Sequence, residues 1–109
     1  MTSPSEMDML VSRAREASSL LKSLSHEARL LIMCHLMQGE KSVTELERNL
    51  GRRQAAVSQQ LARLRLDGLV RARRHGKTIF YSVASQPAAD ILSALQHAME
   101  KVPSESAAQ

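Results

Sequence analysis

Aromatic side chains are nearly missing from this chain. Phe80 and Tyr81 are the only two in 109 residues, and there is no Trp. Recognition of single-stranded nucleic acid by base stacking needs a platform of such rings, so that mode is not expected. The core must be built instead from Leu, Ala, Ile, Val and Met, a composition that points to a mainly helical protein. Cysteine is almost absent too: Cys34 stands alone, which excludes an internal disulfide and any multi-cysteine zinc site. No apolar run approaches the ~18 residues a membrane span needs. The start, MTSPSEMDML, lacks the basic residues and long apolar stretch of a signal peptide, so a cytoplasmic location is expected. No nucleophile–base set or phosphate loop is present, and the four histidines are scattered along the chain. An enzyme is not expected, and neither is a cofactor.

Positive charge is abundant, in one place. From Arg48 to Lys77 there are nine Lys/Arg against one acid, Asp67; the rest of the chain holds six Lys/Arg and ten Asp/Glu. The modest formal net charge of +4 hides this asymmetry. Phosphate neutralisation with release of counterions is what such a stripe is suited to.

The chain divides into a flexible N-terminus (1–9), one domain (10–102) and a disordered polar tail (103–109). From Leu10, the residues Leu10, Ala14, Ala17, Leu21 and Leu24 recur at helical spacing and form one sticky face. Ser25 is placed to cap a second helix, about His26 to Met37, which is apolar almost all round and so central to the domain. Gly39 ends it. Ser42-Val43-Thr44-Glu45 is a capping box that opens a short third helix ending at Leu50-Gly51. A fourth helix runs from about Gln54 to Leu66, closed by Gly68. On it Val57, Leu61 and Leu64 share a core face, whereas Ala55, Ser58, Gln59 and Ala62 share the opposite one, small and polar enough for close approach to base edges in a major groove. Leu69–Ala72 and Thr78–Val83 read as two strands joined by the basic segment Arg73–Lys77, with Gly76 in the turn. Pro87 opens a last amphipathic helix to about Lys101. The expected class is mainly α with a small β-hairpin, about five helices plus a wing, a winged helix-turn-helix.

The segment VSQQLARLRLDGLVRARRHGKTIFYSV, together with SHEARLLIMCHL, resembles the ArsR (ArsR/SmtB) family of winged-helix repressors. Val57, Ser58, Leu61, Leu64, Gly68, Leu69 and Val70 match its signature, with Gln60 in place of a frequent histidine. The resemblance covers roughly residues 10–101. It implies a sequence-specific DNA-binding repressor, dimeric through its first and last helices, whose two recognition helices enter successive major grooves of an imperfect palindromic operator. In that frame Ser58, Gln59 and Gln54 read bases. Arg52, Arg53 and Arg63 hold phosphates around the recognition helix, and Arg73, Arg74, His75 and Lys77 hold phosphate or minor groove from the wing.

The resemblance also says where effectors bind. A Cys-Val-Cys metal site of the family falls here on Ser42, Val43 and Thr44, which offer no thiolate. A second site in the last helix keeps only His97 and Glu100, its other half falling on Ala84 and Gln86. No metal site is expected. LIMCHL resembles the second helix of the sulfide- or redox-sensing branch, which makes Cys34 the candidate sensor of reactive sulfur or oxidant. The branch's second cysteine is missing, its place falling near Glu100. The alternatives left open are inert packing of Cys34, a metal- or haem-responsive repressor (with Cys34 or His35 as haem ligand), and a ligand-independent architectural DNA-binding protein.

Overall fold

The computed structural model describes residues 4–51 and 54–103. Six helices and three strands follow in the order α1 (Pro4–Ser12), α2 (Ala14–Leu24), α3 (Glu27–Leu36), β1 (Lys41–Ser42), α4 (Val43–Leu50), α5 (Gln54–Leu66), β2 (Val70–His75), β3 (Thr78–Val83) and α6 (Gln86–Met99). The sheet is antiparallel with strand order β1-β3-β2. No helix among the described residues is long and apolar enough to cross a membrane.

The mainly helical class with a wing holds, with four local corrections. Helix already starts at Pro4, inside the segment expected to be flexible, and the expected first helix is two: it breaks at Arg13, whose φ/ψ of −107°/9° leaves the helical range. Backbone bonds nonetheless bridge the break, Arg13 N to Met9 O at 3.0 Å and Ala17 N to Arg13 O at 2.9 Å, so α2 continues from α1 across a kink. Second, the cap of α3 is His26, not Ser25. His26 is extended, and its Nδ1 accepts from Ala28 N at 3.2 Å. Ser25 closes the preceding helix instead, its Oγ donating to Lys22 O at 2.9 Å. Third, the first hairpin strand runs from Val70 to His75, past the expected end at Ala72, while the second spans Thr78–Val83 as expected. Arg73, Arg74 and His75 pair with Phe80, Ile79 and Thr78, so the loop is only Gly76-Lys77. Gly76 has φ +64°, and no non-glycine residue described has positive φ. A glycine with positive φ at the first loop position fits a type II′ turn, whose twist matches that of the strands. Fourth, two residues, Lys41 and Ser42, add a short strand beside β3, at Tyr81 and Phe80. The expected tail lies, from residue 104 on, outside the described residues.

The core is a single cluster. Leu24 of α2, Ile32, Met33 and Leu36 of α3, Leu46 of α4, Val57, Leu61 and Leu64 of α5, Leu69 and Val70, and Ala88 and Leu92 of α6 are all buried. As expected, α3 sits centrally: it packs on α2, α4, α5 and β3. Fully burying one such aliphatic side chain contributes about 1.5–3 kcal/mol, so the three α5 residues hold that helix by its inner face alone. The outer flank is different. Met7, Met9, Leu10, Val11 and Leu21 of α1 and α2, and Met99 near the end of α6, are exposed in the single chain.

Candidate nucleic-acid interface

The helix-turn-helix is set by α4 and α5. The capping box is present in both directions: Glu45 N donates to Ser42 Oγ at 3.2 Å, and Ser42 N donates to Glu45 Oε1 at 2.9 Å. These bonds also hold the Glu45 carboxyl below its ordinary value. At the other end of α4, Gly51 takes a left-handed conformation (φ +63°) and returns its N–H to Glu47 O at 2.7 Å. Arg52 and Arg53, expected to hold phosphates there, lie outside the described residues. Gln54 begins α5, but its side chain is likewise outside the description.

Along α5 the two faces separate as expected. Val57, Leu61 and Leu64 have almost no exposed surface, while Ser58, Gln59 and Ala62 are exposed. A helix held by one aliphatic stripe thus presents a small polar surface at its N-terminal half, the end that meets base edges in helix-turn-helix docking.

Its neighbour Gln60 has a different task. Arg29 of α3 donates from Nη1 to Gln60 Oε1 at 3.2 Å and from Nε to the carbonyl of Ser23 at 2.7 Å. Ser23 Oγ donates to Asp67 Oδ2 at 2.7 Å, and Arg63 Nε donates to the same oxygen at 3.3 Å. Ser23, Arg29, Gln60, Arg63 and Asp67 therefore form one polar network joining α2 and α3 to the middle and the C-terminal end of the recognition helix. Asp67 is the one acid of the basic stretch, and the Ser23 hydroxyl, with Arg63 and Arg29 nearby, keeps its carboxyl below the usual aspartate value. Its isolation among arginines was the sequence signal for this network. Nothing comparable marks Ser23 or Gln60.

The basic residues sort into two groups. Arg63 is tied to Asp67, and Arg73 is tied to Glu40 by an ion pair of 2.6 Å. Arg74, His75 and Lys77 are exposed at the wing tip, and no ion pair engages them among the described residues. Arg48, Arg65 and Arg71 are exposed and unpaired in the same way, though no part of the expected contact set.

Cys34 is half-buried on α3, at the edge of the core. His97 Nδ1 lies 3.8 Å from Glu100 Oε2 on the exposed end of α6. Among the described residues no group of three or more His, Cys, Asp or Glu could hold a metal ion.

Known proteins share this arrangement. The chain is 48% identical over 83 residues to the biofilm growth-associated repressor of Xylella fastidiosa (strain Temecula1), covering 76% of this chain and 73% of that protein. It is 42% identical over 82 residues to the transcriptional activator HlyU of Vibrio cholerae serotype O1, covering 75% and 76%. The crystal structure of the transcriptional repressor BigR from Xylella fastidiosa superposes with a TM-score of 0.79 at 43% identity, over 88% of this chain and 95% of that one. Residues 26–72, from the cap of α3 to the first half of the wing, match the profile of the bacterial regulatory proteins of the arsR family. On this family match, identity and superposition, the chain belongs to the ArsR family of winged-helix, DNA-binding transcriptional regulators, and it is not an enzyme.

Proposed function

We propose that this chain is a homodimeric repressor of sequence-specific action, which lays α5 of each protomer in successive major grooves of an imperfect palindrome. The observation that carries the reading is the division of α5. A wholly buried aliphatic stripe faces α3 and α4, and exposed Ser58 and Gln59 lie opposite it, with Arg74, His75 and Lys77, in no ion pair among the described residues, on the neighbouring wing. Gln59, aided by Ser58 and Gln54, reads bases, a bidentate amide being suited to adenine. Arg52, Arg53, Arg63 and the wing cations hold phosphate or minor groove. The exposed apolar residues of α1, α2 and α6 support dimerisation, since a patch of this kind on a small chain marks an association surface. The relatives include both a repressor and an activator, and repression follows where the operator overlaps a promoter. Selection of duplexes from a random pool, followed by footprinting, tests the reading. It is sunk if no palindromic sequence is enriched over the bulk pool.

Release from DNA is assigned to Cys34 and to reactive sulfur or oxidant. Its half-buried place beside the core supports this: a persulfide or sulfenic acid there adds bulk at the edge of the core that α3 helps to build. With one thiol per chain, no intramolecular bridge forms. Operator release by glutathione persulfide or peroxide should occur in the wild type and be lost in Cys34→Ser. Equal response in both would remove Cys34 from the mechanism.

A further inference from the structure

Arg73 is at mid-strand in β2, directly opposite Phe80 of β3. Its guanidinium carbon lies 5.2 Å from the centroid of the Phe80 ring, a cation–π distance. From there Nη2 donates to Glu40 Oε1 at 2.6 Å and Nε donates to Oε2 at 3.0 Å. This is the two-pronged carboxylate geometry that only arginine offers. The pairing is mutual, holding the Glu40 carboxyl below its ordinary value and raising the hold of Arg73 on its proton.

The position of the three residues matters more than the pair itself. β2 is an edge strand, held by β3 alone, and β1 is the opposite edge. Glu40 immediately precedes β1, and Ser42, two residues on, is the cap of α4. The Glu40–Phe80–Arg73 set therefore crosses the whole sheet, from the strand that carries the wing tip to the segment that starts the helix-turn-helix. Arg74, the next residue, alternates to the other face of the strand and is engaged by no ion pair among the described residues.

We propose that Arg73 is a positioning residue of the wing and not a phosphate contact. Its fork on Glu40 and its seat on Phe80 fasten β2 to the start of α4. They set where the Arg74–Lys77 tip meets the duplex relative to α5. The proposal rests on the reading of the wing as a DNA-contacting element, and two substitutions separate the two claims. Arg74→Ala should lower the slope of log affinity against log salt by about one per protomer; no change of affinity or slope would sink the wing reading itself, whatever Arg73 does.

For Arg73, the probe is a duplex selected by the wild-type protein, with binding read by fluorescence anisotropy over a range of salt. Arg73→Lys keeps the point charge but loses the fork, so affinity should fall by about fivefold while the salt slope stays as in wild type. The charge swap Glu40→Arg with Arg73→Glu keeps net charge and restores the clamp in reverse. It should bind within about threefold of wild type, while Arg73→Glu alone binds at least tenfold more weakly, roughly the effect of like charge on a DNA-facing strand. Thermal melts accompany each variant, and Arg73→Lys, the mildest, keeps the test open if the acidic single variant unfolds. An Arg73→Lys protein that binds like wild type, or a swap no better than Arg73→Glu alone, overturns the proposal and returns Arg73 to the phosphate contacts.

Discussion

Leu21 and Leu24 lie three residues apart on one helix, and replacing each by Glu should give opposite failures. Leu24 is 5% exposed and part of the core cluster, whereas Leu21 is 54% exposed and outside it. A carboxylate at position 24 is buried without a partner, costs several kcal/mol, and should unfold the protomer. A carboxylate at position 21 remains in water as long as the chain is alone, so the protomer should keep its melting behaviour within a degree or two. Association is where it acts. Roughly half the surface of Leu21 remains to be covered, worth about 1 kcal/mol of the ~1.5–3 for a whole leucine, and a two-fold interface presents it twice. Losing about 2 kcal/mol weakens the dimer roughly thirtyfold, and confining two carboxylates in an apolar contact adds several kcal/mol more. The dimer dissociation constant should rise about a thousandfold or more. Sedimentation velocity over a range of concentrations should show a folded Leu21→Glu monomer where wild type is dimeric. A Leu21→Glu protein that still sediments as a dimer would refute the assignment of the α2 face to the interface.

The remaining expectations concern the recognition helix and its supports. Gln59→Ala should cost about 1–3 kcal/mol on the selected duplex and relax preference at one base position, with melting unchanged; uniform weakening on all sequences would make Gln59 a backbone contact. Leu61→Ala, at a wholly buried position, should destabilise by about 2–5 kcal/mol in denaturant unfolding, and a smaller loss would mean that α5 is not held by its inner face. The Asp67 carboxyl is more acidic folded than unfolded, so its contribution is fully present above the unfolded value of about 4 and fades as pH falls through the folded one. The stability gap between wild type and Asp67→Ala should therefore close between about pH 4 and lower values; a gap that stays constant through this range would show that the Ser23 and Arg63 contacts are not made by the ionised group.

Local rules made much of the fold legible. The capping box at Ser42, the glycine stops, and the 57-61-64 stripe each depend on residues within two turns of one another, and the structure has all of them. What escaped depends partly on local backbone geometry and partly on long-range contacts. The α3 cap passed to His26 because the chain there is extended, which backbone geometry decides and residue type does not. β1 is two residues long and exists only because β3 lies beside it. The hairpin strands took in Arg73–His75, against the depletion of charge usual in strands, because the type II′ turn at Gly76 fixes the register from its tip. For the site, charge density was readable, but the partners of each charge were not. Arg73 and Glu40 are 33 residues apart, and Ser23 and Asp67 are 44.

These partnerships, near and distant, change what the basic stretch means. Taken as a string, the residues from Arg48 to Lys77 are interchangeable positive charges. In the fold, Arg63 and Arg73 have carboxylate partners, and the cations without ion pairs among the described residues of that stretch are Arg48, Arg65, Arg71, Arg74 and Lys77. The partnered arginines sit where rigid elements meet, Arg63 at the end of α5 against α2, Arg73 across the sheet toward α4. The unpartnered ones are exposed on the surface. An exposed ion pair contributes little stability, but a fork or a shared carboxylate that fixes an angle between elements acts through geometry, and base reading fails with displacements far smaller than a helix diameter. On the proposed binding mode, Glu40 takes Arg73 out of the phosphate-binding field and uses it to orient the wing, while Asp67 holds Arg63 and the end of the recognition helix beside α2. That trade is sensible only if the aim of the wing and the recognition helix limits binding more than total charge does.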